Sequence, residues 1–152
     1  MVRQTFFGKE NPVSNMQVQR VLETCLYAQD LERAAKFYRD VLGLVPQTAE
    51  TGRHHFFRCG RSMFLLFNPA ETVSTNDDIP PHGTNDAAHV AFAVRAREMH
   101  EWRDKLLKQG VEVENQLNWP NGGSSLYFRD PAGNSVEITT PQTWGLADDD
   151  DY

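Results

Sequence analysis

The stretch Leu126-Tyr127-Phe128-Arg129-Asp130-Pro131-Ala132-Gly133-Asn134-Ser135-Val136-Glu137 decides the fold. Proline suits the first corner of a turn, and glycine tolerates the positive φ that follows. The segment therefore predicts a hairpin joining a strand at Ser124–Arg129 to one at Ser135–Thr139. Such a turn fixes the register of both strands, and with it the face that Glu137 occupies.

Upstream of this hairpin the pattern recedes through a strand-like Val111–Leu117 and a helix that ends at Gly110. The helix has Met99, Trp102, Leu106 and Leu107 on its inner face. Before it lies the apolar run His89–Val94. A similar order stands earlier in the chain. Val21–Ala28 is a short apolar run suited to a buried strand. Asp30 is a good N-cap for a helix whose Leu31, Ala34, Ala35, Tyr38, Val41 and Leu42 share one face, and Gly43 ends it. Strand-like His54–Cys59 and Met63–Phe67 follow. Glu23 and His89, Gly43 and Gly110, and Pro69 and Pro141 recur at nearly one offset of about 70 residues, the mark of an internal repeat. Each unit reads as βαβββ. Residues 70–88, with Pro80, Pro81 and Gly83, form a linker by composition.

The expected organisation is an N-terminal arm over 1–20, a domain over 21–141 made of modules 21–69 and 88–141, and an acidic tail over 142–152. The run Asp148–Asp151 repels itself and is expected to be disordered. The 152 residues are the usual size of one domain. The net charge of −6 argues against the broad basic face of a nucleic-acid binder. No run approaches the roughly 20 apolar residues that cross a bilayer. Cys25 and Cys59, far apart and in no Cys-x-x-Cys pattern, read as thiols of a reducing cytosol, and a cytoplasmic location is expected.

Three residues break apolar strands in the same way. Glu23 sits in Val21-Leu22-Glu23-Thr24-Cys25-Leu26, His89 opens His89-Val90-Ala91-Phe92, and Glu137 sits in Val136-Glu137-Ile138. Burying a lone carboxylate is costly, so such a group neutralises or finds a partner. Each residue alone is ordinary, a Glu on an exposed face or a His at a strand edge. Together, with Glu23 and His89 in the same slot of the repeat, two carboxylates and one imidazole suit a divalent cation. Pseudo-twofold packing of the repeats is expected to bring them near one another.

The stretches Glu23–Leu31, Phe37–Leu44, His89–Val94 and Leu126–Glu137 resemble the glyoxalase, bleomycin-resistance and extradiol-dioxygenase superfamily, the vicinal-oxygen-chelate proteins, over residues 21–141. The resemblance implies an α+β fold in which two βαβββ modules form a cupped mixed sheet with helices outside. It also implies one divalent metal ion (Mn, Fe, Co, Ni or Zn), a small-molecule substrate and a homodimer. Ligands in that family come from the first and last strands of each module, slots held here by Glu23, Leu65, His89 and Glu137. Glyoxalase I and methylmalonyl-CoA epimerase usually place an oxygen ligand where this chain has Leu65, and leucine cannot coordinate. The remaining three-ligand pattern resembles fosfomycin-resistance thiol transferases and extradiol dioxygenases, which normally have His in place of Glu23.

Ser125 and Tyr127 match the Ser-x-Tyr that fosfomycin enzymes use near their phosphonate. Leu117 and Leu146 stand where the completing cations are sought, so fosfomycin itself is not the expected substrate. Other candidates for the cup are His54, favoured over His55 as acid or base, and Tyr127 as a hydrogen-bond donor. Arg58 is a candidate anion holder, and Trp119 and Trp144 are candidate walls of an apolar pocket. The leading expectation is a metal-dependent lyase, isomerase, dioxygenase or transferase. The alternative is a metal-free binding protein of the bleomycin-resistance kind. The modules pair within one chain or across a dimer. In the second case Glu23 comes from one subunit, and His89 with Glu137 from the other.

Overall fold

A computed structural model describes residues 16–73 and 79–148. The arm as far as residue 15 and residues 149–152 of the tail lie outside the described residues. In the first module β1 (Glu23–Tyr27) leads to α1 (Leu31–Asp40), then β2 (Val45–Glu50), β3 (His54–Cys59) and β4 (Ser62–Phe67). In the second, β5 (His89–Ala93) leads to α2 (Met99–Lys108), β6 (Asn115–Asn118), β7 (Ser124–Arg129) and β8 (Ser135–Thr139). The two four-stranded sheets have matching orders, β1-β4-β3-β2 and β5-β8-β7-β6. The first strand pairs parallel with the last in each, and the other pairs are antiparallel. This is the glyoxalase-like α+β architecture of two βαβββ modules.

Local chemistry starts and stops the elements as the sequence implies. The Asp30 side chain accepts from the Arg33 amide at 3.2 Å, capping α1. At its other end the Leu44 amide reaches the Tyr38 carbonyl and the Gly43 amide reaches that of Arg39. This double closure needs the left-handed φ of +73° that Gly43 supplies. In the hairpin after β7, the Asp130 carboxylate accepts from the amides of Ala132 and Asn134, each at 2.9 Å. Gly133 takes φ +87° there.

Asn134 does more than turn the chain. Its Oδ1 accepts from the Ala88 amide at 2.9 Å, just before β5, and its Nδ2 donates to the Tyr27 carbonyl at 3.1 Å, at the end of β1. One buried side chain thus ties the first strands of both modules to the second hairpin.

One core serves both modules. Leu26, Phe57, Phe64 and Leu66 of the first sheet cluster with Leu126, Phe128, Val136 and Ile138 of the second, and with Leu31, Ala34, Ala35 and Tyr38 of α1. The Tyr38 ring lies 4.5 Å from Phe64 and 6.4 Å from Phe92, bridging the modules. Each such buried leucine or phenylalanine contributes about 1.5–3 kcal/mol, so this arrangement is firmly held. Because strand side chains alternate, committing these faces to the core turns the opposite faces of both sheets away from it.

Several expectations need correction. β2 lacks an apolar alternation and is exposed throughout, with a bulge between Pro46 and Thr48, so periodicity could not find it. β6 spans only Asn115–Asn118 rather than 111–117. Val21 and Leu22 precede β1 and are exposed, and Leu107 faces solvent because Leu106 alone of that pair points inward. Beyond β8, Pro141–Trp144 forms a short 3-10 turn with Pro141 and Thr143 buried. Asp148, expected in a loose tail, accepts from the Ala96 amide at 3.2 Å. Among the described residues no helix is long and apolar enough to cross a membrane.

Candidate metal centre

The register of the strands makes the two cup faces strictly comparable. Cys25 pairs with Leu65 and Ala91 with Glu137, so Glu23 and His89, two residues earlier, hold the same place in their modules. Across the other side of the last strands, Phe56 pairs with Leu65 and Tyr127 with Glu137, while His54 pairs with Phe67 and Ser125 with Thr139. The first cup face is therefore aromatic where the second is polar.

On the second face, His89 Nε2 lies 3.4 Å from Glu137 Oε2. His89 Nδ1 is 3.1 Å from the Ser135 carbonyl, which can only accept, so the Nδ1 proton is committed there. That bond leaves Nε2 bare and aimed at a carboxylate in the neutral ring. Two electron-rich atoms at this distance need a shared proton or a cation between them. Ligating histidines commonly donate their other N–H to a carbonyl in this way. Donors bound at about 2.1 Å to one ion, at angles between right and tetrahedral, stand about 3.0–3.4 Å apart. The pair fits a metal.

Glu137 is buried, whereas His89 is half exposed. Tyr127 stacks with His89 at 6.4 Å between ring centroids. Burial pushes the Tyr127 hydroxyl pKa up, and the charge and hydrogen bond of Glu137 add to the rise, against a smaller opposing bond with Ser125. The phenol stays protonated at neutral pH. Ser125 is fully buried, accepts from Trp119 Nε1 at 2.8 Å and shares a 2.8 Å hydrogen bond with Thr139.

On the first face, Glu23 lines a cavity of about 840 Å³ together with Cys25, Tyr27, His54, Phe56, Leu65 and Phe67. Linker residues Ile79, Pro80 and His82 add to its wall. The Tyr27 hydroxyl and His82 Nδ1 share a 2.6 Å hydrogen bond, and burial drives the Tyr27 pKa well above its usual value. His54 faces this cavity, as expected, while His55 turns away to Glu32 at 2.9 Å. Desolvation lowers the His54 pKa, so its ring is neutral at neutral pH.

Not every candidate joins these groups. Arg58 is exposed, donates to Gln47 at 3.4 Å and stands outside the cavity lining. Trp144 is exposed rather than part of a pocket wall. Convergence of three ligands within one chain is not found: among the described residues, no three His, Cys, Asp or Glu side chains group closely enough to hold a metal. The physical reason is that each sheet commits one face to the shared core, which leaves Glu23 on the opposite face of the first sheet and His89 with Glu137 on the opposite face of the second. Tyr27 and Cys25 were readable from Glu23 by alternation. His82 was not, because an aperiodic linker gives no signal of what it covers.

The family model described as the Glyoxalase/Bleomycin resistance protein/Dioxygenase superfamily matches residues 20–138. The metallothiol transferase FosB of Staphylococcus epidermidis is 24% identical over 132 residues, spanning 82% of this chain and 84% of that protein. The glutathione transferase FosA of Serratia marcescens is 27% identical over 114 residues, 74% of each. Among solved structures, the lactoylglutathione lyase from Agrobacterium tumefaciens superposes with a TM-score of 0.83 at 41% identity, covering 86% of this chain and 100% of that one. The repeated module, its register and these similarities lead to one conclusion: the chain belongs to the glyoxalase/bleomycin resistance protein/dioxygenase superfamily.

Proposed function

We propose that the protein is a divalent-metal-dependent enzyme acting on a small substrate with adjacent oxygens, and that its site is assembled across a homodimer. His89 and Glu137 of one chain and Glu23 of a second copy would hold the ion. The observation that carries the reading is the His89–Glu137 pair, with Nδ1 committed to a carbonyl and Nε2 3.4 Å from the carboxylate. The dimer is supported by the outward cups, each holding part of the ligand set, and by exposed Val21, Leu22 and Val45 of the first module.

Ligands of charge −1, 0 and −1 balance a dication, which suits a neutral or singly anionic chelating substrate. When bound, such an ion supplies Lewis acidity toward negative charge developing on a substrate oxygen. The oxygen-and-imidazole donor set fits Mn, Fe, Co, Ni or Zn. Tyr127, held protonated, is placed to donate a hydrogen bond beside Glu137. His54, held neutral, is the cup's candidate proton acceptor. Ser125 and Trp119 fix the floor of the second cup through their mutual hydrogen bond.

The thiol-transferase and lyase relatives support a transferase or lyase type of reaction. Leu65, in the slot where glyoxalase I usually has an oxygen ligand, speaks against a four-ligand lyase centre.

The test is metal content after chelation and reloading. Wild-type protein is expected to take up one divalent ion per chain, and His89→Ala and Glu137→Ala to lose it. No uptake at micromolar excess favours the second reading, a metal-free binding protein of the bleomycin-resistance kind. In that reading a proton sits between His89 and Glu137, consistent with no three-ligand group within one chain.

A further inference from the structure

The first cup differs from the second in chemistry as well as position. Its rings are contiguous. His54 stacks on Phe56 with centroids 4.0 Å apart and planes at 19°, Phe56 meets Phe67 edge-on at 5.2 Å, and Phe67 meets His82 at 5.0 Å. Tyr27 stacks on Phe67 at 6.3 Å. These rings line the cavity of about 840 Å³, within the roughly 300–1,000 Å³ of small-molecule sites.

The charges around it do not favour an anion. Glu23 and Glu50 are the carboxylates in the lining, and the Arg53 guanidinium is 3.8 Å from Glu50. His54 Nδ1 is buried without a hydrogen-bond partner, with Glu50 3.8 Å away. That nitrogen is out of reach of solvent, so the ring offers the cavity its Nε2 edge. A neutral imidazole can give or accept one hydrogen bond there, but it contributes no positive charge. A phosphonate or a multiply anionic thiol conjugate would meet two carboxylates, Glu23 and Glu50, against the single cation of the lining, Arg53, which is already beside Glu50. A flat apolar ring instead finds faces and edges at stacking distance.

We propose that the first-module cup is the subsite for an uncharged aromatic group of the substrate, packed against Phe56, Phe67 and His54 beside linker residues Ile79 and Pro80. The substrate class is then a neutral, aryl-bearing oxygenated molecule, with the ring in this cup and its oxygens directed toward the metal-binding half. This rests on the reading above that the cup forms half of the active site. It goes further by naming what the cup holds.

The test uses the full chain stripped of metal, with 2-naphthol as the neutral aromatic probe and methylphosphonate as the anionic one, both followed by calorimetry. One 2-naphthol per chain is expected to bind saturably, at least about tenfold more tightly than methylphosphonate. Phe56→Leu keeps the site apolar but removes a ring, and is expected to weaken 2-naphthol about three- to tenfold. Leu65→Trp fills the cavity and is expected to abolish binding. Tighter binding of methylphosphonate, absence of saturable 2-naphthol binding, or 2-naphthol affinity unchanged by both substitutions would overturn the proposal. The comparison of probes on wild-type protein decides the matter even where a variant fails to fold. Because metal is absent throughout, failure here leaves the metal-centre reading standing, and failure of metal uptake leaves the binding of the aromatic probe in this cup readable on its own.

Discussion

Leu65 and Glu137 occupy the same place in the two modules: each lies on the last strand, beside the residue two positions after Glu23 or His89. In the proposed metal centre this place would be a fourth ligand slot, and the repeat fills it with a side chain that cannot coordinate. Leu65 is nearly buried against the aromatic cup.

Leu65→Glu is expected to act in opposite directions with and without metal. In metal-free protein the new carboxylate lacks partners and should cost about 1–3 kcal/mol of stability. With nickel or zinc it becomes a fourth ligand, and affinity should rise about tenfold or more, roughly 1.4 kcal/mol. Denaturation of the stripped protein and calorimetric metal titration read the two effects separately. Unchanged affinity would contradict the equivalence of the two slots.

The contact between modules has its own test. The Tyr38 hydroxyl donates to Asp130 Oδ2 at 2.7 Å, with both groups buried. Asp130 also holds the hairpin that sets the register of Glu137. Tyr38→Phe should therefore cost about 1.5–3 kcal/mol in urea unfolding, the range for a hydrogen bond to a charged group. Metal uptake by the folded variant should be unchanged. A loss below about 0.5 kcal/mol would mean that the remaining donors around Asp130 satisfy it without Tyr38.

His54 gives a pH dependence of defined sign. Desolvation lowers its folded pKa below the usual 6.5, with Arg53 and His55 adding to the fall and Glu50 opposing it. Below about pH 6.5 the unfolded chain takes up a proton that the folded ring resists. Stability is thus fully present above that pH and is lost as pH falls through the folded value. His54→Gln should flatten part of the decline in thermal midpoint between about pH 7 and pH 5. An identical decline in both proteins would show that His54 is not its source.

Much of this was legible in the chain, for local reasons. Gly43 and the Asp130–Asn134 turn announce themselves because few residues satisfy a left-handed φ or cap a turn. The register that equates Glu23 with His89 follows from those punctuation marks. β2 escaped notice because an exposed strand containing Pro46 has no apolar period to read. Whether Glu23 meets His89 and Glu137 within one chain stayed open in the sequence for a different reason. Two apolar sheet faces specify that each must be covered, but not that they cover each other through Tyr38 and Phe92. That choice sends both cups outward.

The most direct measurement is a mixed dimer made by co-expressing Glu23→Gln and His89→Ala chains with different tags, purified through both, and assayed for bound metal. If the ligands come from two chains, the mixed dimer regains one intact site, built from Glu23 of the His89→Ala chain with His89 and Glu137 of the other. It should bind one ion, while each parent homodimer binds none. A mixed dimer that binds no metal, or a Glu23→Gln homodimer that binds it as tightly as wild type, would contradict the shared centre.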